Sequence, residues 1–178
     1  PIKSFDDDGV VVYASSLSKV LAPGMRVAFC AGPKELLAKM TIAKQVNDVH
    51  TNLWAQRVCE RFLTRYDMDA HLARLREIYR GKAALMMGEF DRLLKGRIHW
   101  NQPQGGMFVW LTLPDSIDMP AYVQACLDRK LALVPGNAFL VDDCAPCQSV
   151  RANFSTPTEE QIRAGALVMA EALDLLGG

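Results

Sequence analysis

From Leu72 to Leu93 an apolar residue returns at steps of three, four or seven: Leu72, Leu75, Tyr79, Met86, Phe90 and Leu93. That period places all six on one stripe of an α-helix and leaves the Arg and Glu residues between them in water. The spacing predicts a helix over residues 69–94, and at 1.5 Å per residue it spans about 39 Å, enough to bridge two domains rather than cap one. Domains are therefore expected at 1–68 and 96–178, with residues 69–95 as the helix between them. Met86 and Met87 read as core filling on this helix rather than as an interface.

Beyond Gly96 the texture changes. Residues 98–100 read as a short strand, Pro103-Gln104-Gly105-Gly106 as a turn, and 107–113 as a strong strand rich in aromatic and branched residues. A helix is expected over 120–130, a short strand over 131–134 closed by Pro135-Gly136, and another strand over 149–154. Thr156-Pro157-Thr158-Glu159 reads as a capping box, with proline at the first helical position. The helix that follows would bury Ile162, Ala166, Met169 and Leu173. These elements make a small α/β sandwich.

The first part of the chain is less self-sufficient. Asp6-Asp7-Asp8-Gly9 is a turn signal before a strand at 10–13, and a second strand is expected at 25–31. Two amphipathic, packed helices follow: one over 34–46 with Leu36, Leu37, Met40, Ile42 and Ala43 on its apolar face, and one capped by Thr51 or Asn52 and running to Arg65 with Leu53, Trp54, Val58 and Phe62. Two strands and two helices cover a doubly wound sheet poorly. With proline as residue 1, the expectation is the tail of a larger domain followed by a complete small one.

Lys plus Arg equals Asp plus Glu at 20 each, so no basic excess points to nucleic acid and no polybasic tail to a membrane surface. No apolar run approaches the roughly 20 residues of a bilayer span, and no signal-peptide layout opens the chain, so a cytoplasmic protein is expected. The five cysteines are odd in number and read as free thiols. Cys144-Ala145-Pro146-Cys147 has the spacing of a redox or zinc pair, but no second pair or suitably spaced histidine accompanies it. His50, His71 and His99 are scattered; His50, in the loop between two helices, is the one nearest the candidate site described next. No metal centre is expected.

Chemistry concentrates in residues 13–26. Lys19 leaves an apolar strand with the hydroxyls of Ser16 and Ser18 just before it and Arg26 shortly after. A phosphate-bearing aldehyde needs this set: an amine to form a Schiff base, and hydroxyls with a guanidinium to hold the phosphate. The alternative is a strand ending in a polar turn with Lys19 in water.

Five segments occur in an order that resembles the fold-type I pyridoxal-phosphate aminotransferases of class I/II: Ser16-Leu17-Ser18-Lys19, Pro23-Gly24-Met25-Arg26, Gln104 to Trp110, Val134-Pro135-Gly136, and Val150 to Ser155. Lys44-Gln45, His50-Thr51-Asn52 and Gln56 are most similar to the 2-aminoadipate, kynurenine and branched-chain-type subgroup. The resemblance covers almost the whole chain and implies its fold class: the C-terminal part of a PLP-dependent transferase large domain, then a small α/β sandwich domain.

It further implies pyridoxal 5'-phosphate as cofactor, Lys19 as the Schiff-base lysine and proton shuttle, Ser16, Ser18 and Arg26 as phosphate ligands, and Arg151 as the anchor of the substrate carboxylate. The implied partners are an amino acid, a 2-oxo acid and a second copy in a homodimer. Departures are small: Leu17 stands where an aromatic is common, Ser15 where a glycine often sits, and Val27-Ala28 where a branched residue and glycine are usual. In this family the groups that hold the pyridine ring precede the lysine strand, and no position here matches them. This chain alone is not expected to complete a transamination, though the intact protein would. The same catalytic module occurs in GntR/MocR-type regulators, which a preceding helix-turn-helix would identify.

Overall fold

The structure, a computed structural model, describes residues 1–142 and 144–177. The chain divides into two compact units, Pro1–Leu75 and Arg76–Gly178. Five α-helices and six strands are formed among the described residues.

In the first unit, β1 (Tyr13–Ser16) pairs antiparallel with β2 (Ala28–Ala31), with Tyr13 opposite Ala31 and Ser16 opposite Ala28. Both strands differ from expectation for local reasons. Val10 and Val11 donate their amides to the Asp6 carboxylate (2.9 and 3.0 Å), so they enter no ladder and the strand begins three residues late. Residues Pro23–Met25 form a 3-10 turn closed by Arg26 in the left-handed region (φ 54°), which delays β2 to Ala28.

The hydrogen bond from Lys3 and the two amides hold the Asp6 carboxyl down from 3.8 to about 2. A carboxyl depressed by folding contributes stability that is present above its unfolded pKa and lost as pH falls through the folded one. Amide-exchange protection at Val10 and Val11 is therefore expected to persist at pH 4 and disappear around pH 2. Persistence at pH 1, or loss already at pH 4, would contradict this.

Helices α1 (Lys34–Asn47) and α2 (Leu53–Arg65) form where expected, and the Asn52 side chain caps α2 by accepting from the Ala55 amide. The expectation that both are packed is corrected. Helix α1 buries no residue. At 3.6 residues per turn Ile42 stands about 120° from the stripe of Leu36, Met40 and Ala43, so its apolar residues share no single face. On α2 the buried residues are Ala55 and Cys59, while Leu53 and Trp54 are exposed.

Helix α3 (Met68–Leu93) carries the predicted stripe, with Met86, Met87 and Phe90 buried. Its C-terminal part enters the second unit, where β3 (His99–Trp100), β4 (Phe108–Thr112), β6 (Ser149–Asn153) and β5 (Val134–Pro135) form an antiparallel sheet in that order. Along β4, Val109 and Leu111 are buried while Phe108 and Thr112 are exposed, so one face of the sheet is core and the other open. Phe90, Leu94, Tyr122 of α4 (Met119–Asp128) and Leu173 of α5 (Glu159–Leu175) belong to the core cluster on the buried face.

Two expectations shift here. The strand at 131–134 shrinks to Val134–Pro135, because the Leu131 amide closes the end of α4 on the Cys126 carbonyl (3.0 Å) and Lys130 turns left-handed (φ 66°). The capping box lies two residues later than predicted, between Thr158 and Gln161, with Pro157 ahead of it. The reason is Asn153, whose Oδ1 accepts from the amides of Ser155 and Thr156 (2.9 and 3.2 Å) and draws Thr156 into a turn.

Candidate functional site

Lys19 ends a 3-10 turn (Leu17–Lys19) that leaves β1 directly. Ser16 starts the turn: its Oγ accepts from the Ser18 amide (3.1 Å) and donates to Ser18 Oγ (2.8 Å). The Ser18 hydroxyl thereby receives one hydrogen bond and keeps its own proton free to donate outward. Leu17 is buried beneath the turn and its amide donates to the Val27 carbonyl (3.0 Å). That bond, with Ser16 opposite Ala28, sets the residue after Arg26 beside the residue between the two serines. The Arg26 guanidinium donates to the Pro23 carbonyl (3.2 Å) and is otherwise exposed. Lys19 is exposed, and among the described residues its amine has no hydrogen-bond or ion-pair partner.

One contributor was not legible from sequence. His71, on α3, donates from Nε2 to the Val20 carbonyl (2.7 Å), and its ring stands edge-on to Phe62 at 5.1 Å. It therefore ties down the residue next to Lys19 from 51 positions away. His50, the histidine singled out from sequence, donates only to the neighbouring Thr51 carbonyl.

Arg151 belongs to the second unit, on β6, opposite Trp110 on one side and Val134 on the other. Residues directly opposite share a face, so Arg151 stands with Trp110 and Phe108 on the open face of the sheet. Its Cζ lies 4.0 Å from the Phe108 ring centre and 4.6 Å from that of Phe139. Phe139 itself meets Trp110 edge-on at 5.7 Å. Among the described residues no carboxylate pairs with Arg151. Gly136 lets this corner close, since a Cβ there would come within 2.6 Å of Cys147 Sγ and 2.7 Å of the Ser149 carbonyl. All five cysteines are thiols, and no group of three or more His, Cys, Asp or Glu residues able to hold a metal exists among the described residues. No helix there is long and apolar enough to cross a membrane.

Comparison with known proteins agrees with the family resemblance. The family model "Aminotransferase class I and II" matches residues 2–167. An aromatic-amino-acid aminotransferase of Thermococcus litoralis is 34% identical over 173 residues, 97% of this chain and 41% of that protein. The crystal structure of a multiple substrate aminotransferase from Thermococcus profundus superimposes with a TM-score of 0.91 at 35% identity, covering 99% of this chain and 44% of that one. The α-aminoadipate aminotransferase of Thermus thermophilus, solved with N-(5'-phosphopyridoxyl)-L-leucine, gives a TM-score of 0.88 at 34% identity over 93% of this chain and 42% of its own. The chain thus spans about two fifths of the length of the curated relatives it matches. Because the family match runs unbroken through the Lys19 turn and the Arg151 strand, the chain belongs to the class I and II aminotransferases and has the fold of their C-terminal portion.

Proposed function

We propose that this chain supplies the lysine, the phosphate ligands and the carboxylate anchor of a pyridoxal-phosphate-dependent aminotransferase that moves an amino group between an α-amino acid and a 2-oxo acid. The observation that carries the reading is the exposed amine of Lys19, without a partner among the described residues, on the same turn as the hydrogen-bonded Ser16–Ser18 pair. The donor set fits the cofactor: an amine for the aldehyde, and the free hydroxyl proton of Ser18 with a guanidinium for a phosphate. Pyridoxal phosphate, when bound, supplies an electron sink for the substrate's α-carbon.

The remaining chemistry falls to the protein. Ser18, its oxygen already accepting from Ser16, donates its free proton to a phosphate oxygen, and the accepted bond polarises it into a better donor. Arg26 adds a permanent positive charge to the same group. Lys19 Nζ would hold the cofactor through its aldehyde carbon, the aldehyde oxygen leaving as water, and once released would take the proton from the substrate α-carbon. Arg151 fixes the substrate carboxylate with two parallel N–H donors.

The reading is tested by comparing the phosphorylated with the unphosphorylated aldehyde. Charge-assisted bonds of ~1.5–3 kcal/mol imply that pyridoxal phosphate binds roughly 10- to 100-fold more tightly than pyridoxal, a preference that Arg26→Gln largely removes. Equal affinity for the two aldehydes in the wild-type chain would refute the phosphate site.

A further inference from the structure

The open face of the second unit's sheet presents an arrangement the proposed reaction does not by itself require. Phe108 reaches Arg151 from β4, on one side of β6. Phe139 reaches it from the 3-10 turn Gly136–Phe139 that follows β5, on the other side. These rings are 39% and 48% exposed, so both remain at the surface beside the guanidinium rather than in the core.

We propose that Phe108 and Phe139 are positioning residues for Arg151: their rings occupy the flat surface of the guanidinium and hold it with its in-plane N–H edge free to receive a carboxylate. This rests on the reading of Arg151 as the carboxylate anchor.

A guanidinium attracts aromatic rings through its flat surface, whereas a carboxylate is bound through donors lying in its plane, so ring contact and carboxylate contact do not compete. Aromatic neighbours leave the positive charge unneutralised, as an acidic neighbour would not, so the anchor stays charged while held. An arginine side chain carries about 2 kcal/mol of rotamer entropy, and restraining it before the ligand arrives removes part of that cost from binding. Trp110, directly opposite Arg151 and edge-on to Phe139, in turn steadies one of the two rings.

The experiment uses the full 178-residue chain labelled with nitrogen-15 and observes the Arg151 Nε–Hε signal, identified by its absence in Arg151→Lys. In the wild-type chain the signal is expected to be ring-current shifted, with the heteronuclear NOE of a restrained side chain, and to move on titration with 2-oxoglutarate. Phe108→Leu and Phe139→Leu, which keep bulk but remove the π face, are each expected to weaken 2-oxoglutarate binding about threefold, and together about tenfold. Phe108→Tyr and Phe139→Tyr keep the π face and are expected to bind within about twofold of wild type.

Unchanged affinity in the double leucine variant overturns the proposal, as does a tyrosine pair that binds as weakly as the leucine pair. A wild-type Arg151 with the NOE of a free arginine overturns it without any variant, so a leucine variant that fails to fold does not protect it. A restrained wild-type signal that 2-oxoglutarate does not move overturns the anchor reading instead, and leaves the clamp no carboxylate to serve.

Discussion

Phe90→Ala is expected to destabilise the second unit by about 3–5 kcal/mol, the range for removing a large aromatic from a packed core. Phe90 is 1% exposed, sits in the same core cluster as Leu94, Leu111 and Tyr122, and meets Trp100 edge-on at 5.6 Å. It is also one of three buried residues by which α3 joins this core. Met86 and Met87, the other two, are flexible and can shift toward a void, but neither replaces a rigid ring under Trp100. Because a domain of this size is stable by only about 5–15 kcal/mol, the variant should lose a large share of its stability and melt roughly 15 °C or more below wild type. Urea unfolding followed by tryptophan fluorescence measures the difference. A loss under about 1 kcal/mol would show that the end of α3 is not part of this core.

What the sequence reveals about such a fold depends on how far apart the cooperating residues lie. The stripe of α3 and the Asn52 cap were legible because period and cap are local. The start of β1 was not, since the Asp6 carboxylate takes the amides of Val10 and Val11 out of any ladder despite their β-branched side chains. The same competition moved the final capping box: two threonines could cap, and Asn153 decides between them by engaging Thr156. Helix α1 has the composition of a packed helix, but its apolar residues are scattered around the axis, and composition alone hides that.

In the candidate site, Ser16, Ser18 and Lys19 were legible because four consecutive residues and one turn bring them together. The pairing of β1 with β2 brings only the backbone after Arg26 to this turn, with Val27 at Leu17 and Ala28 opposite Ser16. The motif order marked Arg151, but not what holds it. Alternation along β4 places Phe108 and Trp110 on one face, whereas Phe139 reaches that face through a turn that no spacing encodes. His71, tied to Val20 across half a hundred residues, left no local signal at all.

The second large effect belongs to Lys19. Three other lysines are committed elsewhere, Lys3 to Asp6, Lys44 to Asp48, and Lys82 to the carbonyls of Ser155 and Pro157 at 2.9 and 2.7 Å, whereas Lys34, Lys39, Lys95 and Lys130 resemble Lys19 in having no such partner among the described residues. What sets Lys19 apart is its place on the turn that begins at the hydrogen-bonded Ser16–Ser18 pair, and under the proposed function an aldehyde held there by its phosphate would meet this amine first. Lys19→Ala should leave the fold intact, because the side chain is exposed, and should abolish covalent capture altogether rather than weaken it. The decisive measurement is peptide mass mapping of the chain after incubation with pyridoxal phosphate and reduction by borohydride. A single pyridoxyl label on Lys19, absent from Lys19→Ala, is the predicted result; a label spread over other lysines, or persisting undiminished in Lys19→Ala, would contradict it.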